Sequence, residues 1–350
     1  MASKFSDPAL DALMLPFAQG QLAWPDGPVL FLRARDGAAL RQLPLADLVY
    51  EQSFRPDAEL LERAGLRVVA DAADDGARYP LVLVLPPRQR EEARALLARA
   101  VQLVAPGCIV VAAMTNNEGA KSGEADLKQL AGLAGTLTKF HCRTFWTRPV
   151  AVRTDETLLT QWAALDAPRR IEGGRFLSRP GVFAWNRIDP ASALLVDCLP
   201  NDIAGHGADL GAGWGFLSWS LLERCPGITA LDLYEAEARA LALAKENLGD
   251  APSSARLDFR WHDVTAGLPE RYDFIVSNPP FHTQSRADRP DIGQRFITAA
   301  AAALKPGGRL WLVANRHLPY EQTLNDSFGE VRVAGERDGF KVIAAVKARR

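Results

Sequence analysis

The chain has little sulfur, with four cysteines and three methionines in 350 residues. Cys108, Cys142, Cys198 and Cys225 lie far apart and form no C-x-x-C pair, which argues against a thiolate zinc site or a disulfide framework and for a reducing compartment. The five histidines are scattered. No charge of one sign prevails, since 41 Lys and Arg face 42 Asp and Glu for a net charge of −1. A polyanionic partner is therefore held by a local patch and not by the field of the whole molecule. No apolar run reaches the roughly 18 residues of a membrane helix, and the amino terminus lacks a basic segment followed by an apolar core. A G-x-S-x-G elbow and a P-loop are missing too, so hydrolase and nucleotide triphosphatase chemistry has no support. These absences lead us to expect a cytoplasmic protein without metal. A length of 350 residues with a 48% hydrophobic share implies two folded domains.

What is present alternates short apolar strands with helices. Strands are expected at Pro28–Arg33, Ala46–Tyr50, Leu66–Ala70, Leu81–Leu85 and Cys108–Ala113, and helices near 9–17, 58–64 and 88–104. That alternation implies a parallel sheet. The pattern then recurs. Arg78-Tyr79-Pro80-Leu81-Val82-Leu83-Val84-Leu85-Pro86-Pro87 parallels Arg271-Tyr272-Asp273-Phe274-Ile275-Val276-Ser277-Asn278-Pro279-Pro280. An Ala/Leu-rich helix, a Pro-Gly turn and another apolar strand follow each copy, as expected of a duplicated α/β unit. The first copy has Leu85 where the second has Asn278, and Arg33-Ala34-Arg35-Asp36-Gly37 where the second has a glycine loop. Its chemistry is therefore expected to be lost. The expected division is a first domain over 1–150, a linker over 151–174 and a second domain over 175–350, the proline- and glycine-bearing linker holding one outer helix.

In the second copy, Gly207 to Gly215 reads Gly-Ala-Asp-Leu-Gly-Ala-Gly-Trp-Gly before an amphipathic segment from Phe216 to Glu223. Strand, glycine loop and helix form the first turn of a nucleotide-binding fold. Gly211, Gly213 and Gly215 allow close backbone approach to a ligand, and their spacing suits one without a pyrophosphate. Acids end the successive strands. Glu235 is placed to grip a ribose diol, with Asp232 in the same strand as its rival. Asp263 is a candidate acceptor from an adenine amine, or a solvated loop acid. Asp209 is a candidate partner for an ammonium group, or a buried helix cap. All would lie along the carboxyl edge of one sheet, where such folds bind ligands.

The fourth strand stops at Asn278-Pro279-Pro280-Phe281. Two prolines remove two backbone donors and fix the local dihedrals, so the strand cannot continue. The Asn278 amide oxygen and the Pro279 carbonyl are then available to accept both protons of an exocyclic amine, with Phe281 stacking on its ring. A further strand at Leu310–Ala314 and a hairpin around Arg337-Asp338-Gly339 complete a parallel sheet closed by an antiparallel ribbon. That pattern matches S-adenosylmethionine-dependent methyltransferases.

The order of these motifs, Asn278-Pro279-Pro280-Phe281 and the degenerate first half together resemble the bacterial ribosomal RNA small-subunit methyltransferase C family. The same likeness extends to Arg179-Pro180-Gly181-Val182-Phe183, Asp189 to Leu195, Val313-Ala314-Asn315, Leu318-Pro319-Tyr320 and Gly339-Phe340-Lys341-Val342. It is specific over about 175–350 and architectural over 1–150. The resemblance implies two tandem Rossmann-like class I domains of α/β class, the first degenerate. It also implies methyl transfer from S-adenosyl-L-methionine to the N2 amine of a guanine in 16S ribosomal RNA, in the small ribosomal subunit. By the same resemblance Asn278, Pro279, Pro280 and Phe281 hold the guanine amine, while Gly211, Gly213, Gly215, Glu235 and Asp263 hold the donor. Glu235 departs from the Asp that is commoner in the family. A monomer is expected. Rival readings remain: a large-subunit guanine, an adenine N6 amine, a protein glutamine amide, or a catalytically silent RNA-binding module. For RNA contact, Arg286, Arg289, Arg295, Arg316 and His317 flank the acceptor motif and Arg175, Arg179 and Arg187 precede the domain. Interspersed Asp288 and Asp291 leave an ordinary solvated face as the other reading.

Overall fold

A computed structural model describes residues 7–43, 47–71, 76–150, 155–280 and 290–349. The chain divides into two units, Met1–Ala167 with Arg179–Gly181, and Pro168–Ser178 with Val182–Arg350. The 151–174 stretch, expected as a linker, thus contributes a helix to the first unit and a short strand to the second.

The first unit contains strands β1 (Val29–Leu32), β2 (Leu48–Glu51), β3 (Val68–Val69), β4 (Tyr79–Val84), β5 (Val104–Thr115), β6 (Leu133–Lys139) and β7 (Cys142–Thr147). Its helices are α1 (Pro8–Ala18), α2 (Arg55–Arg63), α3 (Arg90–Leu103), α4 (Ala120–Ala131) and α5 (Glu156–Ala163). The sheet order is β3-β2-β1-β4-β5-β7-β6, with β1 to β5 parallel and the β6–β7 ribbon antiparallel. Leu30, Leu32, Val82 and Val84 face α3 and α5 on one side of the sheet, while Phe31, Leu81 and Leu83 face α1 on the other. Period-2 alternation with both faces apolar is what a doubly covered parallel sheet requires. Arg94 and Arg99 of α3 pair with other elements of the unit. They reach Asp126 of α4 and Glu51 of β2 (3.0 and 2.7 Å).

The second unit opens with a two-stranded hairpin, β8 (Arg169–Ile171) and β9 (Phe176–Ser178). Its main sheet comprises β10 (Ala204–Leu210), β11 (Gly227–Glu235), β12 (Arg256–Trp261), β13 (Tyr272–Ser277), β14 (Leu304–Asn315), β15 (Glu330–Arg337) and β16 (Phe340–Val346). Helices α6 (Pro190–Cys198), α7 (Phe216–Arg224), α8 (Ala238–Asn247), α9 (Pro290–Ala303) and α10 (Glu321–Ser327) cover it. The order is β12-β11-β10-β13-β14-β16-β15, position for position that of the first sheet. Two sheets of seven strands in the same order bear out the expected duplication. The correspondence reaches single residues: Arg33 after β1 has φ 54° where Gly211 after β10 has φ 76°. The first copy keeps the left-handed turn but has put a long charged side chain on it, paired with Glu92 at 3.5 Å.

The β15–β16 turn is Asp338-Gly339 with φ 51° and 83°, the doubly left-handed geometry that matches strand twist. Among the described residues no helix is long and apolar enough to cross a membrane. No group of three or more His, Cys, Asp or Glu among them could hold a metal ion.

Candidate functional site

At the carboxyl edge of β10 and β13 a cleft is lined by Gly211, Ala212, Gly213 and Trp214 of the loop, Phe216 and Leu217 of α7, and Asn278. Phe183, Ala184, Asp189 and Ser192 complete it from the segment leading into α6. Among these lining residues none is cationic and one, Asp189, is acidic.

The loop is shaped by internal hydrogen bonds. Gly211 and Ala212 both donate their N–H to the Tyr234 carbonyl (2.8 and 3.1 Å), and Gly215 donates to Ala212 (2.9 Å). Gly213 N donates to Glu235 Oε2 at 2.7 Å, while Glu237 N donates to Oε1 at 2.8 Å. With these donors engaged and no cation among the lining residues, the loop is not arranged as a phosphate nest. Gly213 has φ 56°, and a Cβ added there would meet nothing within 4 Å, so open space lies before the loop. From behind, Asn247 of α8 ties the loop down by donating to the carbonyls of Trp214 (2.8 Å) and Leu177 (2.9 Å). Phe176 packs against Trp214 with ring centroids 5.1 Å apart, so the β8–β9 hairpin buttresses the same loop.

The acids behave differently from one another. Glu235 sits at the end of β11 directly behind Gly213, and burial raises its pKa against the opposing effect of its backbone N–H donors. Its rival Asp232 is fully buried and already occupied: Tyr272 Oη donates at 2.8 Å, Arg260 pairs at 3.1 Å and His206 Nε2 lies 3.1 Å away. Asp209 is also fully buried. Ser218 Oγ donates to its Oδ2 at 2.7 Å, and Oδ1 has no partner. Burial pushes Asp209 up to about 7, with nearby Glu235 adding to the rise and Ser218 opposing it. Asp263 falls two residues beyond β12 and caps a short 3-10 turn, its Oδ1 accepting from Thr265 N (2.9 Å) and Oγ1 (2.8 Å). None of Asp209, Glu235 and Asp263 lines the cleft itself; Glu235 meets it only through its hydrogen bond from Gly213.

Asn278 follows β13 as expected from the two prolines behind it. Its Nδ2 donates to Asp189 Oδ2 (3.0 Å) and Ser192 Oγ (2.8 Å). Its Oδ1 is shielded from water and lacks any hydrogen-bond partner. Pro279 is buried and Pro280 exposed. Phe281 lies outside the described residues, as do His282, Arg286 and Arg289. Of the other arginines considered for RNA contact, Arg179 is committed to Asp166 (3.0 Å) and Arg175 to Glu223 (3.3 Å). Arg187, Arg295 and Arg316 are exposed.

The structure therefore brings Gly211, Gly213, Glu235 and Asn278 together, with Gly215 at the start of α7. Sequence reasoning gave no site role to Asn247, and knew Phe183, Asp189 and Ser192 only as parts of familial runs. The one local signal was Asp189-Pro190 ahead of an apolar segment, a helix start whose acid turns out to serve two partners.

The family model of the methyltransferase small domain matches residues 173–344. The ribosomal RNA small subunit methyltransferase C of Sodalis glossinidius is 31% identical over 284 residues, covering 80% of this chain and 77% of that protein. The chain belongs to the ribosomal RNA small subunit methyltransferase C family. Another member of the ribosomal RNA small subunit methyltransferase C family, from Psychromonas ingrahamii, is 29% identical over 277 residues, 77% of this chain and 76% of its own length. A solved structure of a T. thermophilus 16S rRNA N2 methyltransferase in complex with AdoMet and guanosine superposes with a TM-score of 0.78. It is 26% identical and spans 99% of this chain and 93% of that one.

Proposed function

We propose that the second unit transfers a methyl group from S-adenosyl-L-methionine to the exocyclic N2 amine of a guanine in 16S ribosomal RNA, working as a monomer on the small subunit in the cytoplasm. The observation that carries this reading is the Asn278 amide: its nitrogen is held by protein and its oxygen is left without a donor at the edge of the cleft. A buried acceptor without a partner costs about 1–3 kcal/mol, which an arriving N–H would recover.

The residues present fit the cofactor. A loop whose own bonds consume most of its N–H groups, a wall without cations and an acid behind Gly213 suit a cationic nucleoside without phosphates. Bound there, S-adenosyl-L-methionine would supply a methyl group on a positively charged sulfur. Gly211, Gly213 and Gly215 would admit it closely, Glu235 would take the ribose hydroxyls, and Asp263 would offer its second oxygen to the adenine amine. Asp209, fully buried and outside the cleft lining, is assigned to the start of α7 through Ser218 and not to direct contact with the ammonium group.

A guanine amine is a weak nucleophile because its lone pair is shared with the ring. Accepting its two protons on Asn278 Oδ1 and the Pro279 carbonyl would localise that pair and aim it at the methyl carbon. Such catalysis is mainly positioning, and no strong base is required before transfer. Extruding the base costs a few kcal/mol, of which stacking on Phe281 would return about 1–3 kcal/mol. The first unit, with Leu85 in place of Asn278 and Arg33 in place of Gly211, is assigned a structural or RNA-binding part. The test is methyl transfer from labelled donor to small subunits, naked 16S RNA, large subunits and a glutamine-bearing protein substrate. Label confined to guanine N2 of small-subunit RNA supports the reading; label on adenine or protein overturns it.

A further inference from the structure

The orientation of Asn278 is not set by Asn278. A side-chain amide is nearly symmetric in shape, and turning it by 180° about χ2 exchanges an acceptor for a donor at little steric cost. In this chain the turn is blocked from one side. Asp189 has only acceptor oxygens to offer, and its Oδ2 lies 3.0 Å from the Asn278 amide nitrogen. A flipped amide would set oxygen against oxygen there. Ser192, one turn into α6, gives the same nitrogen a second acceptor at 2.8 Å. Asp189 is itself immobilised, because the same Oδ2 accepts from the Ser192 backbone N–H at 2.9 Å as the amino-terminal cap of α6, with Pro190 presetting the first turn. Ser192 is buried, so the pair cannot be replaced freely by water.

We propose that Asp189 and Ser192 are positioning residues that lock the Asn278 amide with Oδ1 toward the acceptor substrate, making the site selective for a group that donates N–H. The inference rests on the proposed role of Asn278 and adds what confers polarity on it. A flipped Asn278 would present its own N–H groups and suit a carbonyl or hydroxyl oxygen instead. The start of helix α6 thus writes the donor–acceptor sense of a residue 86 or more positions away in the chain.

The test is a mutant cycle on methyl transfer to small-subunit RNA, with cofactor affinity measured in parallel by calorimetry. Asp189→Ala is expected to lower kcat about 10- to 100-fold, the worth of one misdirected hydrogen bond. Cofactor affinity should stay near that of the wild type. Ser192→Ala, which keeps the helix cap, should give a smaller loss of the same kind. Asp189→Asn retains an acceptor oxygen and should restore most of the turnover lost in Asp189→Ala. Asp189→Ala placed on top of Asn278→Ala should cost nothing further, because its action passes through the residue already removed. A merely structural part for Asp189 would instead add its full loss in that background, and this result overturns the proposal. So does an Asp189→Asn variant that fails through weakened cofactor binding, since charge and not orientation would then matter. Full turnover in both Asp189→Ala and Ser192→Ala beside an inactive Asn278→Ala overturns the proposal alone. An active Asn278→Ala overturns it together with the reading beneath it.

Discussion

Asp209→Asn should change how the stability of the second unit depends on pH. Asp209 has no exposure to water, one oxygen lacks a partner, and burial pushes its pKa from 3.8 up to about 7. Between those values the folded chain holds a proton that the unfolded chain has released. Stability therefore falls as pH rises from about 4 to about 7 and is level above that. A shift of about 3 units corresponds to about 4 kcal/mol in full, of which about 2–3 kcal/mol is lost between pH 5 and pH 8. Asn keeps the shape and cannot ionise, so any cost of its own is the same at both pH values. Shifted groups that do not interact with Asp209 contribute equally to both chains and cancel in the difference. Denaturant unfolding of the two proteins at pH 5 and pH 8 reads the effect. The stability of Asp209→Asn relative to wild type should improve by about 2 kcal/mol or more on going to pH 8. A difference that does not move with pH would refute a buried Asp209 titrating near neutrality.

Glu235→Ala would strip Gly213 and Glu237 of their acceptor and remove the proposed ribose ligand. One charge-assisted hydrogen bond of about 1.5–3 kcal/mol then implies cofactor binding at least tenfold weaker, and unchanged affinity by calorimetry would contradict the assignment. Gly215 has φ 95° and a Cβ there would lie 3.3 Å from Ala244 Cα, whereas Gly213 at φ 56° faces open space. Gly215→Ala should accordingly lower the melting temperature more than Gly213→Ala, by about 1 kcal/mol or more of added destabilisation; equal losses would count against the loop geometry. Tyr272 Oη bridges Asp232 Oδ2 (2.8 Å) and Tyr234 Oη (2.6 Å) inside the sheet core. Tyr272→Phe should cost about 1–3 kcal/mol in denaturant unfolding, and a loss below about 0.5 kcal/mol would show that this network carries no stability.

Local chemistry made much of this legible. The glycine loop, the strand-ending Asn278-Pro279-Pro280 and the Asp338-Gly339 turn each force one backbone outcome, and each appears where its residues stand. The β6–β7 ribbon of the first unit was not foreseen, because its turn is Phe140-His141. Both residues take the left-handed conformation (φ 54° and 57°) without the Gly or Asn that usually announces it. The acids were harder still. Strand-end position alone could not separate Asp232 from Glu235, since that depends on which face each side chain meets: Tyr272, His206 and Arg260 for one, the glycine loop for the other. Asp263 was expected to end its strand, yet β12 stops at Trp261 and Asp263 caps the turn that follows. The grip of Asp189 and Ser192 on Asn278 spans 86 to 89 positions, a separation no local pattern encodes.

The central claim is that Asn278 presents an acceptor to a guanine amine in small-subunit RNA while the glycine loop holds the methyl donor. It is tested most directly by incubating purified wild-type protein and Asn278→Ala with S-adenosyl-L-methionine and unmodified small subunits, then measuring N2-methylguanosine in the digested RNA by mass spectrometry. Wild type should form it at one site, and the variant should bind the cofactor yet turn over about 10²–10³-fold more slowly, as for loss of one preorganised polar contact. N2-methylguanosine formed at comparable rates by both proteins, or by neither, would contradict the account.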